Sequence, residues 1–261
     1  MGDVIRAHAL LLPFPAQGHI NPMMQLAKIL ISKGIFVTFL NTDFTQERLN
    51  PASIADQYIQ FQSFPDGLPP DHVRTLKLPE LCESLQNHAP QHVENIVQKL
   101  RHSLTIIVAD GVFSFAQKIA DKFGLPRVAF WTTSACGFST YYYMPLLIDH
   151  AHIPLKGGDE ESCKNEVIPC IPEMETLRVK DLPSFLTVTD ASDYMFQYLL
   201  REAQNTHSAS LVLLNTFEEL EGPVLRDLNV KFSEKVLSIG PLLLYSAMDD
   251  DDDDVVSSSS S

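Results

Sequence analysis

The sequence predicts a doubly wound α/β fold, a parallel sheet with helices on both faces. Three observations carry that reading. The strand-like segments are short, continuous apolar runs rather than alternating ones, as strands buried on both faces should be. Segments of helical period separate them, which is the rhythm of βαβ units. The chain has 261 residues and is 45% hydrophobic, enough for one large α/β domain, with two small domains equally compatible with that composition.

The elements follow in order. Residues 8–14 (HALLLPF) form the first strand. The turn at residues 15–19 leads to Asn21 and Pro22, which predict a helix start, Asn as N-cap and Pro at the first helical position. Gly34 ends that helix. Residues 35–40 and 58–61 are the second and third strands, rich in β-branched and aromatic side chains. A helix over 78–101 follows, then a fourth strand over 104–110, a helix over 113–123 stopped by Gly124, and a fifth strand over 127–131 feeding a helix from 134 to 149. Residues 152–186 break the rhythm with Gly157, Gly158, Pro169, Pro172 and Pro183, and read as a long, partly ordered excursion of the kind that often binds ligands. Regular structure returns as a helix over 192–205, a strand over 210–215, a helix over 218–228 and a strand over 236–239. No internal repeat of fixed period is present.

The net charge is −14, from 33 acidic and 19 basic residues, and six of the acids are the run at 249–254. The absence of a basic cluster argues against nucleic acid and anionic membrane as partners. No apolar stretch has the length of a membrane span. The N-terminal apolar run at 9–12 is short and interrupted by Pro13 and Pro15, unlike a signal peptide. Cys82, Cys136, Cys163 and Cys170 show neither a CxxC nor a His/Cys ligand spacing, and read as reduced thiols rather than a disulfide framework or zinc site. A cytoplasmic protein is expected. Residues 246–261, made of Asp, Val and Ser after Ser246-Ala-Met, are expected to be a disordered tail.

Ligands of doubly wound sheets sit at the carboxyl ends of the strands. Two polar residues fall there: His19, in the turn after the first strand, and Asp110, the last residue of the fourth. Singly, a His near a helix start is an ordinary surface residue and an Asp at a strand end an ordinary turn former. Together they can act as a general base: the imidazole takes a proton from a hydroxyl, and the carboxylate fixes its tautomer and stabilises the imidazolium. A helix N-terminus beside His19 favours the neutral ring, and the carboxylate pulls the other way. No GxGxxG or GxxxxGK[ST] loop is present, which disfavours a dinucleotide or ATP site, and no GxSxG elbow, which disfavours an α/β-hydrolase. Most of the aromatic side chains at 113–143 are expected in the core; those on the helix after the fifth strand could line an apolar pocket.

Residues 13–23 (PFPAQGHINPM) resemble the opening motif of plant UDP-dependent glycosyltransferases that modify small lipophilic molecules. The resemblance continues through 36–42 (FVTFLNT), 64–70 (FPDGLPP), 108–111 (VADG), 130–137 (FWTTSACG), 178–183 (RVKDLP), 214–220 (LNTFEEL) and 239–242 (IGPL). The wording is most similar to the branch that includes 7-deoxyloganetin (iridoid), cyanohydrin and steviol glucosyltransferases. The resemblance implies that residues 1–245 are the N-terminal, acceptor-binding, Rossmann-like domain of a GT-B glycosyltransferase. His19 falls on the family's catalytic base, Asp110 on the carboxylate that orients it, Thr132 on a contact to the donor sugar, and Gly18 at the mouth of the acceptor site. The implied reaction is inverting glucosyl transfer from a UDP-sugar co-substrate, UDP-glucose by family default, to a hydroxyl of a small lipophilic acceptor such as a terpenoid or phenolic. No metal or other cofactor is implied. The family's donor signature lies in its second half and carries tryptophans. Trp131 is the only tryptophan here and belongs to the fifth strand, so the UDP-sugar domain is expected to be absent and the chain to transfer little unless one is supplied. A non-catalytic module that binds an aglycone is the alternative expectation.

Overall fold

The computed structural model describes residues 7–49, 57–156 and 164–242; the expected tail at 246–261 and the Gly157-Gly158 pair lie outside them. Seven strands are hydrogen-bonded in the order β3-β2-β1-β4-β5-β6-β7. They are β1 (His8–Leu12), β2 (Phe36–Thr42), β3 (Ile59–Phe64), β4 (Ile106–Asp110), β5 (Arg127–Trp131), β6 (Leu211–Leu214) and β7 (Val236–Ser238). The registers of β1 with β2 and β4, of β2 with β3 and of β6 with β7 are all parallel. The helices are α1 (Gln17–Ser32), α2 (Asp43–Gln46), α3 (Leu78–Leu100), α4 (Phe115–Phe123), α5 (Ala135–Tyr142), α6 (Met144–Asp149), α7 (Tyr194–Asn205) and α8 (Glu218–Lys231). The predicted fold class is observed.

The chain divides into two compact units. The first holds the described residues up to Asp110, Phe115–Val128 and those from Ile239 on; the second holds Gly111–Ser114 and the described residues of Ala129–Ser238.

In the first unit β1 is buried at every position, as its unbroken apolar run requires. Its neighbours are β2 on one side and β4 on the other, so the strand order reverses at β1. Right-handed crossovers then place α1, which leads towards β2, on the opposite face from α3 and α4, which lead away from it. Consistent with this, α3 and α4 pack together, and Lys122 Nζ lies 2.6 Å from Glu94 Oε1 across them. In the loop after β3, Asp66 is buried and receives two bonds from the Arg74 guanidinium, at 2.7 and 3.1 Å. Gly67 there has φ +82, and a Cβ on it would strike the His88 ring, so both backbone and space require glycine.

The first helix departs from the expectation. It begins at Gln17 with Ala16 as N-cap, and Pro22 lies inside it. Asn21-Pro22 is therefore not the helix start. Proline forfeits only the bond to the Gly18 carbonyl, close to the end where the helix has orphan groups anyway. Ile20, Met23, Met24, Leu26 and Ala27 are buried along the helix, and that apolar stripe outweighs the lost bond.

In the second unit the helix expected over 134–149 is two helices. Tyr143 ends α5, and Pro145 at the start of α6 cannot donate to the preceding turn. The excursion after α6 is better packed than its composition suggests. Val167 and Arg178 form an antiparallel bridge, a 3-10 turn spans Val179–Asp181, and Ile153, Ile168, Ile171, Val179, Leu182 and Leu186 are buried in one cluster with Met144, Leu147 and Phe196. Proline and glycine punctuation hides these apolar positions because they follow no helical or strand period.

Candidate active site

His19 and Asp110 meet. Leu12 at the end of β1 pairs with Ala109 of β4, so the carboxyl ends of the two strands lie side by side where the strand order reverses, the position at which open α/β sheets hold ligands. From there Asp110, 1% exposed, faces the first turn of α1, and its Oδ2 lies 2.7 Å from His19 Nδ1. The same oxygen accepts the Phe14 backbone N–H at 3.2 Å, which fixes the carboxylate against β1. The Phe14 ring packs beside the imidazole, centroids 5.3 Å apart.

His19 sits in the helix rather than before it. Its N–H donates to the Ala16 carbonyl at 2.9 Å, and the side chain remains about one-third exposed. The carboxylate accepts a hydrogen bond from Nδ1–H, so in the neutral ring Nε2 carries the lone pair. Two effects on the ring oppose one another. Burial disfavours the imidazolium; the Asp110 charge and hydrogen bond favour it more, and the His19 pKa is raised above its ordinary 6.5. The sequence left this balance open, and the carboxylate wins it. A base of raised pKa whose second nitrogen holds the lone pair is fitted to take a proton from a hydroxyl near neutral pH.

Gly18 precedes His19 in the same turn. It is exposed, and a Cβ there would meet no atom within 4 Å. Thr132 belongs to the second unit, where it follows the last residue of β5 and is half-buried. The segment it opens is held by a residue the sequence reading passed over. Glu221 is buried, and its carboxylate accepts the backbone N–H groups of Ala135 and Cys136 at 2.7 and 3.0 Å and the Thr216 hydroxyl. It thus caps the first turn of α5, where an anion complements the helix dipole. Burial pushes Glu221 towards neutrality, but these hydrogen bonds win and hold its pKa below the usual value. The only sequence signal was its place after the 214–220 motif. The adjacent Cys136 thiol is pushed up to about 12 by burial and by Glu221, which removes it as a nucleophile.

The aromatic residues mostly serve the core, as expected: Phe113, Phe130, Trp131 and Phe138 are buried. Trp131 Nε1 donates to Thr206 Oγ1 at 3.0 Å, and a Cβ on Gly111 would strike the indole.

A parallel α/β sheet with a His–Asp pair where its strand order reverses is a doubly wound domain with a candidate site in the usual place. The family profile described as the N-terminal domain of glycosyltransferases matches residues 7–150, more than half of the chain, and the protein belongs to that family. It is 40% identical over 250 residues to 7-deoxyloganetin glucosyltransferase of Gardenia jasminoides, covering 90% of this chain and 52% of that one. It is 37% identical over 251 residues to linamarin synthase 1 of Manihot esculenta, covering 91% and 52%. Among solved structures, a UDP-glucosyltransferase from Polygonum tinctorium capable of glucosylating indoxyl superposes with a TM-score of 0.72 at 20% identity, over 92% of this chain and 54% of that one. The chain spans about half the length of these relatives. The resemblance to plant UDP-dependent glycosyltransferases, and the fold it implied, are confirmed.

Proposed function

We propose that this chain is the acceptor-binding half of an inverting UDP-dependent glucosyltransferase acting on a small lipophilic alcohol or phenol. The observation that carries the reading is the 2.7 Å contact between His19 and the buried Asp110 at the reversal of strand order. His19 Nε2 takes the proton from the acceptor hydroxyl as its oxygen attacks the anomeric carbon of UDP-glucose. The bond from that carbon to the diphosphate oxygen breaks, UDP departs, and the configuration inverts. Asp110 stabilises the imidazolium that forms. Gly18 lines the mouth of the acceptor site, and Thr132 contacts the donor sugar. The acceptor is a terpenoid or phenolic; the 7-deoxyloganetin in the name of the Gardenia jasminoides relative is of the first class. The UDP-sugar engages fully once a donor-binding domain is supplied. No helix among the described residues is long and apolar enough to cross a membrane, and Cys82, Cys136 and Cys170 are thiols, which supports a reducing, cytoplasmic setting.

The test is UDP-glucose turnover with a panel of terpenoid and phenolic acceptors, on this chain alone and on the chain joined to the donor-binding half of the Gardenia jasminoides relative. The expected result is transfer by the joined protein and little by the chain alone, because positioning of both substrates supplies much of the rate. Saturable acceptor binding with no transfer in either form would favour a non-catalytic aglycone-binding module.

A further inference from the structure

The second unit contains a side-chain cluster that the glycosyl-transfer reading does not use. His150 and His152 flank Ala151 just after α6, and Ala151 has φ 58, a left-handed conformation costly for a residue with a Cβ. The backbone is held there by His150 N–H bonding to the Leu146 carbonyl at 3.0 Å and His152 N–H to the Leu147 carbonyl at 2.9 Å. The two imidazoles are nearly parallel, 3° apart in plane with centroids 6.2 Å apart. Cys170 arrives from the excursion, anchored by the antiparallel pairing of Val167 with Arg178 and by its buried neighbour Ile171. One ligand atom each from His150, His152 and Cys170 lies within 4.8 Å of the other two.

The outer partner is also in place. His152 Nδ1 lies 3.0 Å from Glu166 Oε1, which leaves its Nε2 to coordinate. A carboxylate on the far nitrogen of a metal-bound imidazole is the usual way such a ligand is oriented and made more basic. The sequence showed no ligand spacing because Cys170 is eighteen positions from His152 and is brought to it only by the packing of the excursion.

The geometry points to a Zn²⁺ site formed by His150, His152 and Cys170, with Glu166 orienting His152 and water in the fourth position. Two imidazoles and one thiolate suit this borderline-soft ion and its tetrahedral preference. Tetrahedral ligands on Zn²⁺ sit about 3.5 Å apart, given bonds of about 2.0 Å to nitrogen and about 2.3 Å to sulfur. The cluster therefore has to tighten by about 1 Å, and the exposed His150 has room to rotate. Zn²⁺ takes the thiolate, so binding the ion displaces the thiol proton of Cys170. The bound ion ties the excursion to the end of α6.

Calorimetry with Zn²⁺ on the untagged chain, together with Co²⁺ absorption spectra, tests the site. The expected result is one ion per chain, a thiolate-to-cobalt charge-transfer band, and release of about one proton on binding. His150→Ala and Cys170→Ser each weaken binding by more than about 10-fold, Cys170→Ser abolishes the charge-transfer band, and Glu166→Gln costs about 10- to 100-fold in affinity. His150 and Glu166 are exposed, so their variants fold whatever the metal does. Absence of Zn²⁺ binding, or binding that persists unchanged in His150→Ala and Cys170→Ser, overturns the assignment. Neither outcome bears on His19.

Discussion

Among the described residues Asp110 stands behind the His19 imidazole and Glu166 behind that of His152, in different settings. Asp110 is 1% exposed at the end of an inner strand, and its oxygen serves both His19 and the Phe14 amide. Glu166 is 53% exposed on a loop, and its oxygen lies 3.0 Å from His152. The first pair is fixed by the sheet and shifts its histidine: the His19 pKa is raised. The second is fixed by the packing of a loop. A short carboxylate–imidazole distance therefore does not by itself say how firmly a histidine is held. Burial of the carboxylate and its anchorage to the scaffold separate the two.

The largest expected effect breaks the comparison at the base itself. In the chain joined to a donor-binding half, His19→Ala should lower transfer by about 10²- to 10⁴-fold, the usual worth of a positioned general base. Retained transfer would remove His19 from the mechanism. The carboxylates come next. Asp110→Ala removes the buried hydrogen bonds from the Phe14 N–H and from His19 and should cost about 1–3 kcal/mol in chemical denaturation. Glu166→Ala, at an exposed site, should stay within about 0.5 kcal/mol. Equal losses would erase the distinction between scaffold and loop. The smallest effect concerns Gly18. Its open surroundings predict that Gly18→Ala changes stability by no more than about 0.5 kcal/mol. The KM for bulky acceptors should nevertheless rise; a KM that does not move would take Gly18 away from the acceptor mouth.

How much the sequence disclosed follows the same division. β1, β4 and β5 were legible because strands buried on both faces are unbroken apolar runs, and β5 was read to the residue. The meeting of His19 and Asp110 was legible because the strand ends of such a sheet are few: Asp110 ends β4, and His19 lies in the first turn of the helix that follows β1. The start of α1 was not, because Asn21-Pro22 imitates a cap and only the buried stripe from Ile20 to Ala27 shows that the helix is already under way. Glu221 was hidden because it caps α5 from far along the chain. The apolar anchors of the excursion, Ile168, Ile171, Val179, Leu182 and Leu186, follow no period, and the meeting of His150, His152 and Cys170 depends on that packing.

The central claim is that Asp110 sets His19 as a base, and the direct measurement is an NMR pH titration of the His19 ring in the chain and in Asp110→Asn. The account predicts a pKa above the ordinary 6.5 in the native chain and below it in the variant, where burial persists and the charge is gone. The attraction between the imidazolium and Asp110 then contributes stability that is fully present below pH 6.5 and lost as the pH rises through the raised pKa. A His19 that titrates at or below the ordinary value in the native chain, or that is indifferent to Asp110→Asn, would contradict it.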